Sequence, residues 1–284
     1  MIDRAIQHIK STAKVPSFSS YEERLHPYIR SVISNVPQAT EIEVLGNNLI
    51  WQIGNNNDQP TVALAAHLDK INHYGNDYPE ELPVKVTNEY IKGAMDDCAG
   101  LGMLLTLAEK ASKHNWPNLL LFFSEMEESK GLKEHPELLR NNGDGYTHGM
   151  GAKRIARQCV EENLIPEQVI TLDTTPLFKG KQGIALYSKH WEYNDLDPSD
   201  ALIESTEKAV GHFISIDARI KIDNNTNDYL HYGEVFNQSR EQSVVSVALE
   251  PAIYPYHQKG ERVFTDDIER CLNIISEYLD SFTA

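Results

Sequence analysis

The chain is poor in cysteine. Its 284 residues contain three, Cys98, Cys159 and Cys271, an odd number at wide spacing with no CxxC pair. That excludes a disulfide framework and a cysteine-ligated zinc site, and it fits a reducing cytoplasm. Basic residues are also scarce, 26 Lys and Arg against 42 Asp and Glu, for a formal net charge of −16. Nucleic acid and anionic membrane surfaces, which recruit Lys and Arg to neutralise phosphate, are therefore not expected as partners. No apolar run reaches the roughly 20 residues that a membrane span needs. The opening MIDRAIQHIKSTAK likewise lacks the unbroken apolar stretch of a secretory signal. Internal repeats, low-complexity tracts and linkers are missing too. What remains is a 40% hydrophobic, 24% charged chain, long enough to bury a substantial core as one domain spanning residues 1–284.

The patterning that is present is orderly. Ile2, Ala5, Ile6 and Ile9 recur at helical spacing and predict a first, surface helix. Ser20 with Glu23 three positions on predicts a capping box opening a second helix. EIEVLGNNLIWQIG alternates about a Gly-Asn turn, the signature of a β-hairpin. From residue 60, short apolar runs alternate with longer helical patterns: TVALAA, residues 98–112, NLLLFF, residues 150–162 and QVITL. GIALYSK and SVVSVALE add strands, and VFTDDIERCLNIISEYL predicts a closing helix. This alternation predicts an α/β fold, a three-layer αβα sandwich around a mixed, mainly parallel sheet.

Several of the apolar strands end in acids or histidines. TVALAA leads to His67 and Asp69, NLLLFF to Glu125, Glu127 and Glu128, and QVITL to Asp173, while SVVSVALE is followed by His257. Ligands of open α/β sheets bind outside the carboxyl ends of the strands, so these groups are expected to converge on one rim. Each has a plain reading when taken alone. HLD at 67–69 is also a satisfied histidine at a strand end, and SEMEESKG a solvated acidic loop. ITLDTTP and PYHQKGE also read as ordinary turns and loops. Asp96 and Asp97 in GAMDDCAG also read as a helix N-cap.

Taken together and in order, HLD, GAMDDCAG, FSEMEESKG, ITLDTTP and YHQKGE resemble the co-catalytic two-zinc aminopeptidases and their carboxypeptidase and tripeptidase relatives. The resemblance implies a zinc-dependent exopeptidase-like fold with two divalent metal ions, zinc or in vitro cobalt or manganese. It makes His67 and Asp173 ligands of one ion, Glu128 and His257 ligands of the other, and Asp96 the bridge. Glu127 becomes the general base and Asp69 the orienter of His67, leaving Asp97 as the helix cap. It also implies a cis peptide between Asp96 and Asp97. A carboxylate shared between two cations offsets their repulsion and fixes their spacing.

Residues 70–95 are too few for the second domain that shell-forming aminopeptidases insert there, and residues 174–256 are largely taken up by core elements. The compact single-domain branch, without a lid or dimerisation domain, is the expected relative. The expected activity is cleavage of short peptides from the amino end. Alternatives are a deacylase or carboxypeptidase acting on N-acyl amino acids or small amides, a peptide-binding homologue without turnover, and an acid pair of Glu125 and Glu127 acting on glycosides. The last leaves His67 and His257 without a role. Tyr146 or His148 would line the cleft or lie on an exposed loop, and Tyr256 would be pocket wall or core.

Overall fold

In this computed structural model, the structure describes residues 1–56, 58–128, 135–140, 147–194, 196–238 and 243–283. The first half comprises α1 (Ile2–Lys14), α2 (His26–Ile33), β1 (Ala39–Ile42), β2 (Leu49–Ile53), β3 (Thr61–His67), β4 (Lys85–Val86), β5 (Tyr90–Gly93), α3 (Cys98–Ala111) and β6 (Asn118–Ser124). There follow α4 (Met150–Glu161), β7 (Gln168–Leu172), β8 (Ile184–Tyr187), α5 (Asp200–Ile216), β9 (Lys221–Ile222), α6 (Asp228–Phe236), β10 (Val245–Pro251), β11 (Glu261–Phe264) and α7 (Thr265–Asp280).

Among the described residues, eight strands form one sheet in the order β1-β2-β6-β3-β7-β10-β8-β9. The central strands β6, β3, β7 and β10 run parallel. β1 and β2 form the expected antiparallel pair at one edge, and β8 returns antiparallel to β10 at the other. A smaller sheet pairs β11, β5 and β4.

The apolar runs are continuous because both faces of this sheet are covered. Val62, Leu64 and Ala66 of β3, with Leu119, Leu121 and Phe123 of β6, pack in one cluster with α1, α2, α3 and α7. The intervening Ala63, Ala65, Leu120 and Phe122 pack in a second cluster with Ala152, Ile155 and Ala156 of α4 and Tyr232 and Phe236 of α6. Burying each large side chain contributes about 1.5–3 kcal/mol. The three-layer αβα architecture is therefore the expected one.

Two details differ from the sequence expectation. Ser20 and Glu23 form no capping box: Ser20 has a left-handed backbone, φ 69°, and its N–H is taken by Glu22 Oε1 at 2.8 Å. Glu23 pairs instead with Arg140 at 2.5 Å. The segment begins as a 3-10 turn, Glu22–Leu25, before α2. Val263 and Phe264 belong to β11, so the closing helix starts at Thr265.

Where α1 crosses α3, a Cβ on Gly102 would stand 2.3 Å from Ile9 Cγ1 and 2.9 Å from the Ile9 backbone nitrogen. A helix backbone cannot yield by that much locally. Gly102→Ala is therefore expected to destabilise by about 1–3 kcal/mol through overpacking, less about 1 kcal/mol of regained helix propensity. The check is the urea midpoint, which should fall; a raised midpoint would show the helices free to separate.

Candidate metal centre

The parallel strands β6, β3, β7 and β10 end side by side, and the turns that leave them carry the polar groups. His67 closes β3, the Glu125–Glu128 turn follows β6, and Asp173 follows β7. His257 lies beyond β10 in a left-handed backbone, φ 52°. Asp96 and Asp97 precede α3, and the peptide between them is cis.

These groups meet. Asp96 divides its carboxylate between two imidazoles, with Oδ1 3.1 Å from His67 Nε2 and Oδ2 3.3 Å from His257 Nε2. Each imidazole has a further acid beside it: Asp173 Oδ1 is 3.9 Å from His67 Nε2, and Glu128 Oε1 is 3.2 Å from His257 Nε2. Glu127, His67 and Glu128 also bring ligand atoms within 4.8 Å of one another. Asp97 falls in a similar group with His67 and Asp173. It is nonetheless the N-cap of α3, with Oδ1 accepting from the Gly100 N–H at 2.7 Å. The bland reading of the acid pair thus holds for Asp97.

Asp69 does more than its spacing suggested. His67 Nδ1 lies 3.1 Å from the Asp69 carbonyl and 3.4 Å from its carboxylate. That carboxylate also accepts the backbone N–H groups of Glu127 at 2.9 Å and Glu128 at 3.0 Å, and the Ser19 hydroxyl at 2.6 Å. Glu125 is bound elsewhere, accepting from Asn47 N, Asn48 Nδ2 and Arg154 Nη1. It anchors the β1–β2 connection and is not available as the acid partner of Glu127.

Three further residues support the site: Glu22, which had no signal in the sequence, Glu261, and His148, which the sequence offered as a cleft residue or an exposed one. Glu22 Oε1 accepts the Met126 N–H at 3.2 Å, and burial beside the Asp69 charge pushes its carboxyl up to about 8. Glu261 Oε2 accepts the N–H groups of Met95 and Asp96 at 2.9 and 3.2 Å, fixing the segment that carries the divided carboxylate. Glu261 closes the YHQKGE motif, which was the one available clue. The imidazole of His148 hydrogen-bonds the Glu127 carbonyl, and its Nε2 is 3.8 Å from Glu127 Oε1. Tyr146 lies outside the described residues. Tyr256 stacks on His257 with centroids 3.6 Å apart and packs against the core, the second of its two readings.

Asp96, Asp97, Glu127, Glu128 and Asp173 are all buried, and among the described residues the imidazoles of His67, His257 and His148 stand beside them. Burial raises the carboxyls of Asp97, Glu127 and Asp173 well above the usual range, and that of Glu128 to about 7. Burial would raise Asp96 as well, but hydrogen bonds from His257 and His67 hold it below its ordinary value. Burial opposes charge on His257, yet Asp96 and Glu128 raise it to about 10. Such crowding of acids is costly unless cations or protons meet it. The donor set, imidazole nitrogen with carboxylate oxygen and no thiolate, fits zinc and also cobalt or manganese.

The family model for peptidase family M28 matches residues 48–268. The TET1 peptidase of Pyrococcus horikoshii superposes with a TM-score of 0.66 at 15% identity, over 97% of this chain and 99% of its own. A TET aminopeptidase from a marine sediment thaumarchaeon gives 0.69 at 12% identity, over 98% and 96%. The aminopeptidase PepT of Bacillus cereus gives 0.67 at 10% identity, over 100% and 99%. At these identities the likeness is one of fold. No curated protein matches the chain in sequence.

Proposed function

The chain belongs to peptidase family M28, and from that premise we propose that it is a two-metal aminopeptidase acting on short peptides with a free amino end. The observation that carries this reading is the division of the Asp96 carboxylate between His67 and His257, each with its own further acid. His67 and Asp173 would hold one ion, Glu128 and His257 the other, and Asp96 both. Zinc is the ion proposed, with cobalt or manganese as substitutes in vitro. When bound, the two ions would supply Lewis-acid activation of a water molecule and of the scissile carbonyl.

The chain's own residues do the rest. Glu127 takes the proton of the attacking water at its carboxylate and passes it to the leaving amine. Asp69 orients His67 and, through the backbone of residues 127 and 128, holds the base in place. The names of the thaumarchaeal and Bacillus structures, both aminopeptidases, support this choice among the M28 activities. We take residues 1–284 to be one catalytic domain without a separate lid or dimerisation domain. Three buried free cysteines agree with placement in the cytoplasm, and among the described residues no helix is long and apolar enough to cross a membrane.

The test is a panel of aminoacyl amides and short peptides offered with the amino group free or acylated, to the zinc-loaded protein. Turnover of the free-amino members is expected. Cleavage confined to the acylated members would replace the aminopeptidase with a deacylase.

A further inference from the structure

A cavity of about 300 Å³ opens on Asp96 and Glu128 and runs from them to the small β11-β5-β4 sheet. That volume is at the lower end of small-molecule sites. One wall is apolar, formed by Phe18, Leu82 and Val84. Lys85, Lys92 and Lys259 also line it, in a chain whose net charge is −16.

The lysines are placed against one another. Lys92 on β5 stands directly across from Lys85 on β4 and from Arg262 on β11, so three cations share one face in a row. Residues so paired have Cβ atoms about 4.5–5.5 Å apart, and like charges there are destabilising. Lys259 reaches the same place from the turn after His257: its Nζ sits 4.5 Å over the Tyr74 ring, while Lys92 Nζ is 3.3 Å from where a Cβ on the adjacent Gly260 would be. None of the three lysines has an ion-pair partner among the described residues. Lysine at a sheet edge commonly blocks unwanted strand pairing. That explains Lys85 but not Lys92, which is on the central strand.

We propose that Lys92, with Lys85 and Lys259, forms an anion subsite that receives a carboxylate of the peptide substrate. The proposal rests on the aminopeptidase reading and adds its substrate class: peptides with a carboxylate within reach of the metal centre. Such a carboxylate comes either from an acidic side chain or from the free carboxyl end of a di- or tripeptide. An anion placed between Lys85 and Lys92 removes the repulsion that the empty row carries. It also gives a negatively charged protein a means of admitting a negatively charged substrate at one place.

The experiment compares kcat/KM within three matched pairs: a tripeptide acid and its amide, Glu-Ala-amide and Gln-Ala-amide, and Ala-Glu-amide and Ala-Gln-amide. The first pair reports the chain end, the others the side chain at each position. In at least one pair the anionic member should be preferred by about tenfold. That preference should shrink as ionic strength rises, fall to about one in Lys92→Gln, and invert in Lys92→Glu. Lys92 is exposed on its sheet, and both changes relieve like-charge contact, so folded variants are expected. Ratios near one in every wild-type pair, or ratios unmoved by both variants, would overturn the subsite. If no peptide is cleaved, the aminopeptidase reading fails by itself. The subsite is then judged on equilibrium binding of an all-D tripeptide acid against its amide to the zinc-loaded protein, with the same expected ratios.

Discussion

Glu127→Gln lowers kcat by about a hundredfold to ten-thousandfold while the bound metal content stays that of the wild type. The range is that of a lost general acid or base. Gln keeps the size of the side chain and the backbone N–H that Asp69 Oδ1 accepts at 2.9 Å, so the turn after β6 is undisturbed. The proposed ligands His67, Asp96, Glu128, Asp173 and His257 are all unchanged. Metal analysis and steady-state kinetics on the same preparation decide the matter. Full activity in the variant would remove Glu127 from proton transfer, whereas joint loss of metal and activity would make it a ligand instead.

Stripping the divalent ions should reduce activity to background and lower the melting temperature steeply. Among the described residues, five buried carboxyls then face the imidazoles of His67, His257 and His148 alone, and the pocket must take up protons or loosen. An ion present at a hundred times its dissociation constant stabilises the fold by about 2.7 kcal/mol. In a chain of this size each kcal/mol corresponds to about 2 °C, so removing two ions predicts a fall of about 10 °C. Calorimetry before and after chelation, then with zinc, cobalt or manganese restored, reads both effects. An unchanged midpoint together with chelator-resistant turnover would dismiss the metal centre.

Much of the fold was legible because buried parallel strands leave an uninterrupted apolar record. TVALAA, NLLLFF and QVITL became β3, β6 and β7, and the acids and histidines following them do meet at one rim. The Asp97 cap was legible too, being local. What escaped depends on partners far along the chain. The Ser20–Glu23 signature gave way because Glu23 is claimed by Arg140, 117 positions away. β4 has two residues, and β11 pairs with β5 across more than 160 positions, so neither has a periodicity to read. The bonds that the Asp69 carboxylate accepts from the backbone of Glu127 and Glu128 were invisible for the same reason, since spacing in HLD speaks of His67 and not of peptide groups in the turn after a neighbouring strand.

That carboxylate has a mechanical consequence. Because one side chain holds both the imidazole at the end of β3 and the peptide groups that carry Glu127 and Glu128, the two halves of the pocket are fastened to a common post. Whatever settles His67 into place also settles Glu128, so filling one half prepares the other. The centre should load as a pair, with few molecules found half full.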